Sequence, residues 1–431
     1  MIIADIIKTF ISGDWGSEEP TEETPNAVYC VRGADIVSIS NNDFSNIPLR
    51  YISDKSLENR LLQSGDIVVE KSGGSPTQST GRAVFISEEL IKAKGQVVCS
   101  NFCTAFRVKD GWNPYFVYQY WQNIYNAGVF FNFEGKTSGI KNLQIDNALS
   151  AIQIEHYPIS HQNQISKILS SIENKICINR QINDNLEKIA KQLYDYWFVQ
   201  FDFPDENGRP YKSSGGKMVY NKRLKREIPI DWQVKNLIDF AEIKNGATPS
   251  TADEANYGGD IVWITPKDLS DQQSKFVYQG ERNITKQGFD SCSTSMLPVN
   301  SVLMSSRAPI GLVSIAKHDV CTNQGFKSFI PKNMEDSIFL YYYIKHHIKQ
   351  IEQLGSGTTF KEVSRDDLCK FPILIAGAKN AYKQWIELQN GIADKQLILK
   401  KEITALTKQR DELLPLLMNG QASVNYHLSN G

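Results

Sequence analysis

Several polar clusters in the sequence contain residue types found in catalytic or metal sites, but their spacing does not fit those roles. Gly135-Lys136-Thr137 has the ending of a phosphate-binding loop, yet Phe130 stands where that loop needs a glycine. His346 and His347 are adjacent, so on a helix they point to different faces and make a poor metal pair. The sequence contains no nucleophile, paired-carboxylate or metal-ligand constellation. We therefore predict that the chain has no catalytic site and no metal site of its own.

Polar loops with small residues, amides and cations occur twice along the chain. In such loops the backbone approaches phosphates, a guanidinium or ammonium reaches base edges, and amides pair with adenine. Each loop alone is typical of a plain turn, whereas recurrence at matching positions favours contact with DNA. The predicted DNA-contacting residues are Lys71, Ser72, Arg82, Asn101, Lys136, Thr137, Lys141, Ser306, Arg307, Asn323, Gln324, Ser356, Thr358, Thr359 and Lys361.

The two sets of loops lie in two similar segments, which we predict to be domains at 1–158 and 229–376. A β-branched strand with its polar loop recurs, and so does a Cys-x-Asn stretch followed by a helix with a polar N-cap. The matching parts are Leu61–Gly74 with Met296–Pro309, Val97–Val108 with Asp319–Ile330, and the helices that begin at Asn113 and Asp336. Such self-similarity indicates two copies of one α/β unit related by approximate twofold symmetry.

Each α/β unit is followed by a long amphipathic helix, predicted at 159–203 and 377–420. Apolar residues recur at steps of three and four, with Asn179 and Asn183 as polar seam positions, and an offset of 220 residues leads to the second seam. The predicted seam residues are Ile165, Leu169, Ile172, Ile176, Leu186, Leu193, Trp197, Ile392, Leu399, Ile403, Leu406 and Leu413. Because so long and narrow a seam needs a partner of similar length, we expect an antiparallel coiled coil; the alternative is two helices packed into separate domains. Pro415 is expected to end or kink the second helix.

The segment 204–228 between the halves is rich in glycine, proline and charge, and it predicts an extended linker; residues 421–431 are a tail. A basic cluster in this linker fits either contact with phosphate or a solvated surface. Its members are Lys217, Lys222, Arg223, Lys225 and Arg226.

Composition leaves the partner open. A formal net charge of −1 over 431 residues neither requires nor forbids a nucleic acid. The seven cysteines are scattered without Cys-x-x-Cys spacing, which predicts reduced and mostly buried thiols. With no apolar run of membrane-spanning length and no basic-plus-apolar leader, we expect a cytoplasmic protein with neither membrane span nor secretion.

The centre of the chain resembles the DNA-specificity subunit of type I restriction-modification systems. The resemblance is carried by ILSSIENKI at Ile168–Ile176, NRQINDNLEKIAKQLYDYWFVQFDFP at Asn179–Pro204, GRPYKSSGGKMV at Gly208–Val219 and LKREIPIDWQV at Leu224–Val234. FISGDWG at Phe10–Gly16 and VYCVRGADI at Val28–Ile36 are similar to the entry of a first recognition domain, so the resemblance spans nearly the whole chain. The second long helix departs from the family pattern at Arg410 and Pro415.

The resemblance implies an α+β fold with two α/β target-recognition domains in a pseudo-twofold tandem repeat, separated by two long helices that form an antiparallel coiled coil. It also implies a non-catalytic subunit that reads a bipartite double-stranded DNA target with a fixed gap. Two methyltransferase subunits would supply S-adenosylmethionine for adenine methylation, and restriction subunits, a translocating nuclease using ATP and Mg²⁺, would join for cleavage. The chain itself would bind no cofactor.

Other functions remain open at the level of sequence. One is a self-contained methyltransferase or nuclease, against which the missing cofactor loop and catalytic motif argue. Another is a non-catalytic dimerisation scaffold, for which the recurring polar loops have no use. A third is the specificity subunit of a related methylation-only or type II-like system.

Overall fold

The computed structural model describes residues 1–73, 78–137, 140–356, 361–377 and 379–422; the side chains of residues 136, 137, 140 and 379 fall outside that description. The chain divides into two compact units. Unit 1 comprises Met1–Gln181 and Lys400–Gly431, and unit 2 comprises Ile182–Leu399.

Unit 1 mixes helices and sheets. Its strands are β1 (Ile7–Ser12), β2 (Asn26–Val31), β3 (Leu49–Ile52), β4 (Ile67–Glu70), β5 (Ser72–Gly73), β6 (Ala83–Phe85), β7 (Val97–Cys99), β8 (Cys103–Val108), β9 (Glu134–Thr137) and β10 (Ile140–Leu143). Its helices are α1 (Ile36–Ser40), α2 (Asp54–Arg60), α3 (Glu88–Lys94), α4 (Pro114–Asn126), α5 (Ile145–Ala151) and the first part of α6 (Ile159–Tyr194). The main sheet is antiparallel in the order β1-β8-β4-β6, a second has the order β3-β2-β7 and a third β5-β10-β9.

Unit 2 repeats this plan with one more strand in its main sheet. Its strands are β11 (Met218–Asn221), β12 (Arg226–Pro229), β13 (Gln233–Asn236), β14 (Ala241–Asn245), β15 (Tyr257–Ile261), β16 (Trp263–Ile264), β17 (Phe276–Val277), β18 (Val302–Ser306), β19 (Ile310–Ala316), β20 (Cys321–Thr322), β21 (Phe326–Pro331) and β22 (Pro372–Ile375). Its helices are α7 (Leu237–Phe240), α8 (Pro266–Gln272), α9 (Lys286–Asp290), α10 (Ser337–His346), α11 (Ile348–Leu354), α12 (Arg365–Lys370) and part of α13 (Lys379–Met418). The main sheet has the order β14-β21-β18-β19-β17.

The strand order confirms the predicted tandem repeat. The sequence β1-β8-β4-β6 of unit 1 recurs as β14-β21-β18-β19 in unit 2, and the parallel pair β2 and β7 recurs as β16 and β20. The main strands β4 and β18 are buried along their whole length, so each unit closes its core around the same central strand. The chain is therefore an α+β protein made of two copies of one unit.

The helix that follows β8 and its counterpart in unit 2 begin differently. Asn113 caps α4 as predicted, with its side-chain oxygen accepting a hydrogen bond from the Phe116 N–H at 3.0 Å. The helix α10 begins next to Asp336, as predicted, but the Asp336 side chain does not cap it. The carboxylate of Asp336 instead accepts a hydrogen bond from the Tyr382 hydroxyl at 2.9 Å and caps no backbone N–H.

The two long helices are present, with α6 continuing into a π-helical turn at Asp195–Val199. Within unit 1 they run antiparallel, because Lys175 pairs with Glu402 at 3.4 Å while Ile165 shares a buried cluster with Leu417. Within unit 2 the direction is the same: Gln389 donates to the Ala190 carbonyl at 2.8 Å and Gln396 to the Glu187 carboxylate at 3.2 Å. This arrangement confirms an antiparallel helix pair in each unit.

Side-chain burial along the two long helices agrees with the predicted seam, which stays a prediction. All of its residues in both helices are buried or half-buried, including the polar positions Asn179 and Gln389, which are 1% and 0% exposed. Pro415 does not end the second helix, which continues to Met418. Since Pro415 lies within the last turn, it removes only one of the final backbone hydrogen bonds.

The segment 204–228 is not the extended linker that its composition predicts. β11 and β12 form an antiparallel hairpin, with Met218 paired to Pro229 and Asn221 to Arg226. Tyr211, Met218 and Leu224 pack against the main buried cluster of unit 2, and this burial of apolar surface holds the segment in place.

All seven cysteines are free thiols, and five of them are buried, as their scatter in the sequence predicts. Among the described residues, no helix combines the length and the apolar character that a membrane crossing needs.

Candidate nucleic-acid interface

A junction of three chain segments recurs in the two units and brings the predicted loops together. In unit 1 the Lys71 N–H donates to the Phe102 carbonyl at 2.8 Å, and the Leu143 N–H donates to the Lys71 carbonyl at 2.7 Å. These bonds join the loop after β4, the turn before β8 and the end of β10. We call this arrangement the loop junction of unit 1.

Unit 2 contains the equivalent loop junction, centred on Ser306. The Ser306 N–H donates to the Gly325 carbonyl at 2.7 Å, and the Val363 N–H donates to the Ser306 carbonyl at 3.1 Å. The same segments of the repeat meet through the same two backbone bonds. The loops after β18 and before β21, with the stretch that leads into α12, are therefore held together as in unit 1.

A fourth segment, the loop after the first strand of each main sheet, meets the same turns through a glycine. The Asp14 N–H donates to the Cys99 carbonyl at 2.8 Å, and the Ala247 N–H to the Thr322 carbonyl at 2.9 Å. An added Cβ would lie 1.9 Å from the Ser100 carbonyl oxygen at Gly13 and 2.0 Å from the Asn323 carbonyl oxygen at Gly246. Only glycine permits this approach of backbone to backbone.

The side-chain amides that were predicted to pair with adenine already accept hydrogen bonds within these turns through their oxygens. The Asn101 side-chain oxygen accepts a hydrogen bond from the Trp15 N–H, and that of Asn323 from the Gly325 N–H, both at 2.9 Å. Gln324 is exposed, and its side-chain oxygen accepts from the Thr248 hydroxyl. Base reading by Asn101 or Asn323 would thus use the amide nitrogen and the second lone pair of an oxygen that already has one partner.

Two of the predicted cations of unit 1 form internal ion pairs. The Arg82 guanidinium binds the buried Glu70 carboxylate through two bonds of 2.7 and 2.8 Å, and Glu70 raises the pKa of Arg82. Lys141 pairs with Glu134 at 3.0 Å. Although burial raises the pKa of Glu134, hydrogen bonds from the Thr80 N–H and from Lys141 lower it further than burial raises it. Arg82 and Lys141 therefore build the junction rather than stand open to a phosphate.

Lys71 and Ser72 lie at the edge of the same junction. Lys71 is half-buried, and Ser72 donates its hydroxyl to the side-chain oxygen of Asn142. This bond fixes β5 against β10, so that the backbone of Lys141 lies opposite Gly73. The predicted loops around residues 71 and 141 are thus parts of one small sheet.

In unit 2 a single carboxylate organises the cations. Glu362 accepts a hydrogen bond from Lys327 at 2.9 Å and lies 3.7 Å from the Arg307 guanidinium. Ser306 is buried, and its hydroxyl lies 3.5 Å from the Lys327 ammonium. Ser356 and Lys361 are exposed. Arg307, with 37% of its side chain exposed, is the partly open cation at this end of β18.

A family model for the type I restriction modification DNA specificity domain matches residues 3–188 and 229–415. The two matches cover most of the chain and follow its internal repeat. The chain belongs to this family. It is therefore a specificity subunit, and its role is recognition of a DNA sequence.

Named relatives agree with this family. The chain is 43% identical over 144 residues to the type I restriction enzyme MjaIX specificity subunit of Methanocaldococcus jannaschii, a match that spans 33% of each protein. It is 25% identical to the HindI specificity subunit of Haemophilus influenzae over 92% of this chain and 94% of that one. The crystal structure of a type I restriction-modification S subunit from M. genitalium has the same fold, with a TM-score of 0.59 at 14% identity over 97% of this chain and 95% of that one.

Some predicted contact residues of the specificity subunit lie outside the described part of the chain. Thr358 and Thr359 are among them, as are the side chains of Lys136 and Thr137. Their proposed contact with DNA stays a prediction.

Four residues that hold the junctions were not among those predicted from the sequence: the carboxylates Glu70, Glu134 and Glu362, and the buried Lys327. Glu70 left a signal, because it ends the otherwise apolar run Ile67–Glu70, and a carboxylate in a buried strand needs a cationic partner. Glu362 and Lys327 are separated by 35 residues in sequence, and no spacing rule connects them.

Proposed function

We propose that each unit of this specificity subunit reads one half of a split double-stranded DNA target and that the two long helices set the gap between the halves. The observation that carries this proposal is the recurrence of the loop junction, with the same two backbone bonds around Lys71 and around Ser306. A site built twice on the same framework with different side chains suits two half-sites of different sequence.

Each junction offers groups suited to DNA. Lys71 and Arg307 follow the ends of β4 and β18, and a lysine or arginine there reaches the O6 and N7 acceptors of guanine in the major groove. The exposed Lys361 adds a charge for the phosphate backbone. The Arg307 guanidinium lies 3.7 Å from the Glu362 carboxylate, which is longer than a hydrogen bond. Its N–H donors therefore remain available for a base.

The helices have dimensions that suit a spacer. The 36 residues of α6 correspond to about 54 Å, against about 34 Å for one turn of the duplex. The antiparallel pairing observed within each unit makes both helices stiff, since their seams are buried. A stiff rod of fixed length would give a gap of fixed length.

We further propose that two methyltransferase subunits dock on this chain, bring S-adenosylmethionine and flip an adenine out of the stack for methylation. Restriction subunits that use ATP and Mg²⁺ would join for cleavage, so the enzymatic activity would belong to the partners. In unit 2 one face of α6 carries Ile182 and Ile189, which are 39% and 46% exposed, in line with the half-buried Leu193 and Tyr196. An apolar helix of a partner subunit would cover this stripe.

Replacing Arg307 with glutamine is expected to weaken binding to one half-site about tenfold or more and to leave discrimination at the other unchanged, because one base contact contributes about 1–3 kcal/mol. Lys71→Gln should have the same effect on the opposite half-site. Binding is measured by fluorescence anisotropy, with the methyltransferase subunits present, on duplexes in which each half-site is scrambled in turn.

Matched controls are Lys92→Gln and Lys286→Gln, since each lysine is exposed and forms an ion pair with a carboxylate on its own helix. Both controls should bind normally at both half-sites. An equal loss at both half-sites in Arg307→Gln would contradict reading by separate units.

A further inference from the structure

Unit 2 contains a cavity of about 300 Å³ that shares no lining residue with the loop junction. One wall is the hairpin of β11 and β12, and another is α10. The polar residues that line it are Tyr194, Arg223, Lys225, Arg226, Tyr343, His346, His347 and Gln350. Most of these groups are basic, and the hairpin residues belong to the basic cluster singled out in the sequence.

The two arginines of the cavity are bound by neutral groups. Arg226 donates to the Val199 carbonyl at 2.6 Å, and its guanidinium lies 4.4 Å from the centre of the Phe201 ring. Arg223 donates to the Asn236 side-chain oxygen at 2.7 Å and to the Lys370 carbonyl. Within the described ranges of the chain, neither guanidinium forms an ion pair with a carboxylate. Their charge is left without a counter-charge.

Burial makes this missing counter-charge costly. Arg226 is half-buried, and the loss of water around it lowers its pKa. A desolvated cation without an opposite charge is unfavourable, and an anion placed beside it relieves that cost. Arg226 also keeps further N–H donors, since the single hydrogen bond to Val199 uses one of five.

Two histidines at the C-terminal end of α10, His346 and His347, line the same cavity. The pKa of His347 is lowered to about 4, mainly by burial, with His346 and Arg226 acting in the same direction. His346 lies 3.8 Å from Asp195, but burial dominates and lowers its pKa as well. Asp195 does not itself line the cavity, and the charged residues that do, Arg223, Lys225 and Arg226, are all cations.

We propose that this cavity binds a phosphate group. Two guanidiniums present planar pairs of N–H donors that match phosphate oxygens, and Lys225 adds a mobile charge at the rim. The volume is at the small end of ligand pockets, which suits inorganic phosphate or a mononucleotide. Phe198 and Phe339 line the same cavity and provide apolar surface for a base. A phosphate of the DNA backbone offers the same chemistry from a second source.

The test uses the full chain and isothermal titration with inorganic phosphate and with adenosine monophosphate, in the absence of DNA. Arg226→Gln is expected to weaken binding about tenfold or more, because a charge-assisted hydrogen bond is lost from a desolvated site. Lys225→Gln should weaken it several-fold. Lys222→Gln is the matched control, since Lys222 is exposed on the same hairpin and does not line the cavity.

If Arg226→Gln fails to fold, phosphate binding by Lys225→Gln and by Lys222→Gln is compared instead. Both lysines are exposed, so both variants are expected to fold. A parallel titration with nonspecific duplex separates the two sources. Binding of free phosphate that depends on Lys225 identifies a small-molecule site, while a Lys225-dependent loss seen only with duplex identifies a backbone contact. The proposal would be overturned if the chain bound no phosphate and both lysine variants bound the duplex equally well. That result would not affect the proposed reading of DNA half-sites.

Discussion

Replacing Lys275 with methionine is expected to lower the free energy of unfolding of unit 2 by about 3 kcal/mol. Lys275 has 7% of its side chain exposed and lies just before β17. Its ammonium is 2.8 Å from the Glu187 carboxylate of α6, 2.5 Å from the Tyr342 hydroxyl of α10 and 3.0 Å from the Gln396 side-chain oxygen of α13. Without the ammonium, three acceptors lose their common donor. Since Glu187 is one-third exposed, water compensates in part and the loss stays at the lower end for a buried pair.

Hydrogen exchange of the β18 amides measures this loss directly, because the opening of that buried strand reports on the core of unit 2. The double variant Lys275→Met with Glu187→Met should recover much of the stability, since no buried charge is then left alone. Lys267→Met is the matched surface control: Lys267 pairs with Glu281 at 2.7 Å, both side chains are largely exposed, and water compensates for the loss of the pair, so the expected effect is much smaller than that of Lys275→Met. If Lys275→Met and Lys267→Met lowered the free energy of unfolding equally, the contacts of Lys275 with α6, α10 and α13 would not stabilise unit 2.

Lengthening both long helices by four residues is expected to lengthen the gap in the DNA target by about one or two base pairs and to leave both half-sequences unchanged. The insertions belong between Gln181 and Ile182 and between Leu399 and Lys400, where the boundary of the two units falls, so that contacts within each unit are kept. Four residues add about 6 Å and nearly one full turn, so the seam rotates by only about 40°.

A two-residue insertion at the same places is the control. It rotates the seam by about 200° and carries its apolar residues to the opposite face of the helix, which should abolish methylation. The measurement is the methylated motif of cells that express each variant with the methyltransferase subunits. Altered half-sequences in the four-residue variant would mean that the helices do more than separate the units.

The repeat and the helix seam follow directly from the sequence because both depend on periodicity. An offset of 220 residues leads from Asn179 to Leu399 and from Leu169 to Gln389, and all four side chains are buried. The spacing of apolar residues indicates which face of a helix is buried. A second copy of the same sequence pattern indicates a second copy of the fold. The polar seam position Asn179 follows from the spacing within the first helix, and Gln389 follows from the 220-residue offset.

The polar junctions were only half predictable. The loops around Lys71 and Ser306 were identified because they recur, but the partners of Arg82 and Lys141 were not. An ion pair depends on which strands are neighbours: Glu70 meets Arg82 because β4 pairs with β6, a fact that no local pattern contains. The composition of residues 204–228 misled for a similar reason, since a few apolar residues among many polar ones suffice to anchor a hairpin.

The central claim is that this chain determines which DNA sequence a methyltransferase modifies. The most direct measurement is genome-wide mapping of N6-methyladenine in cells that carry this gene with its neighbouring methyltransferase gene, compared with cells from which this gene alone is deleted. We expect one split motif with a fixed gap, fully lost on deletion and restored by the gene in trans. Methylated motifs that are identical with and without the gene would contradict the claim.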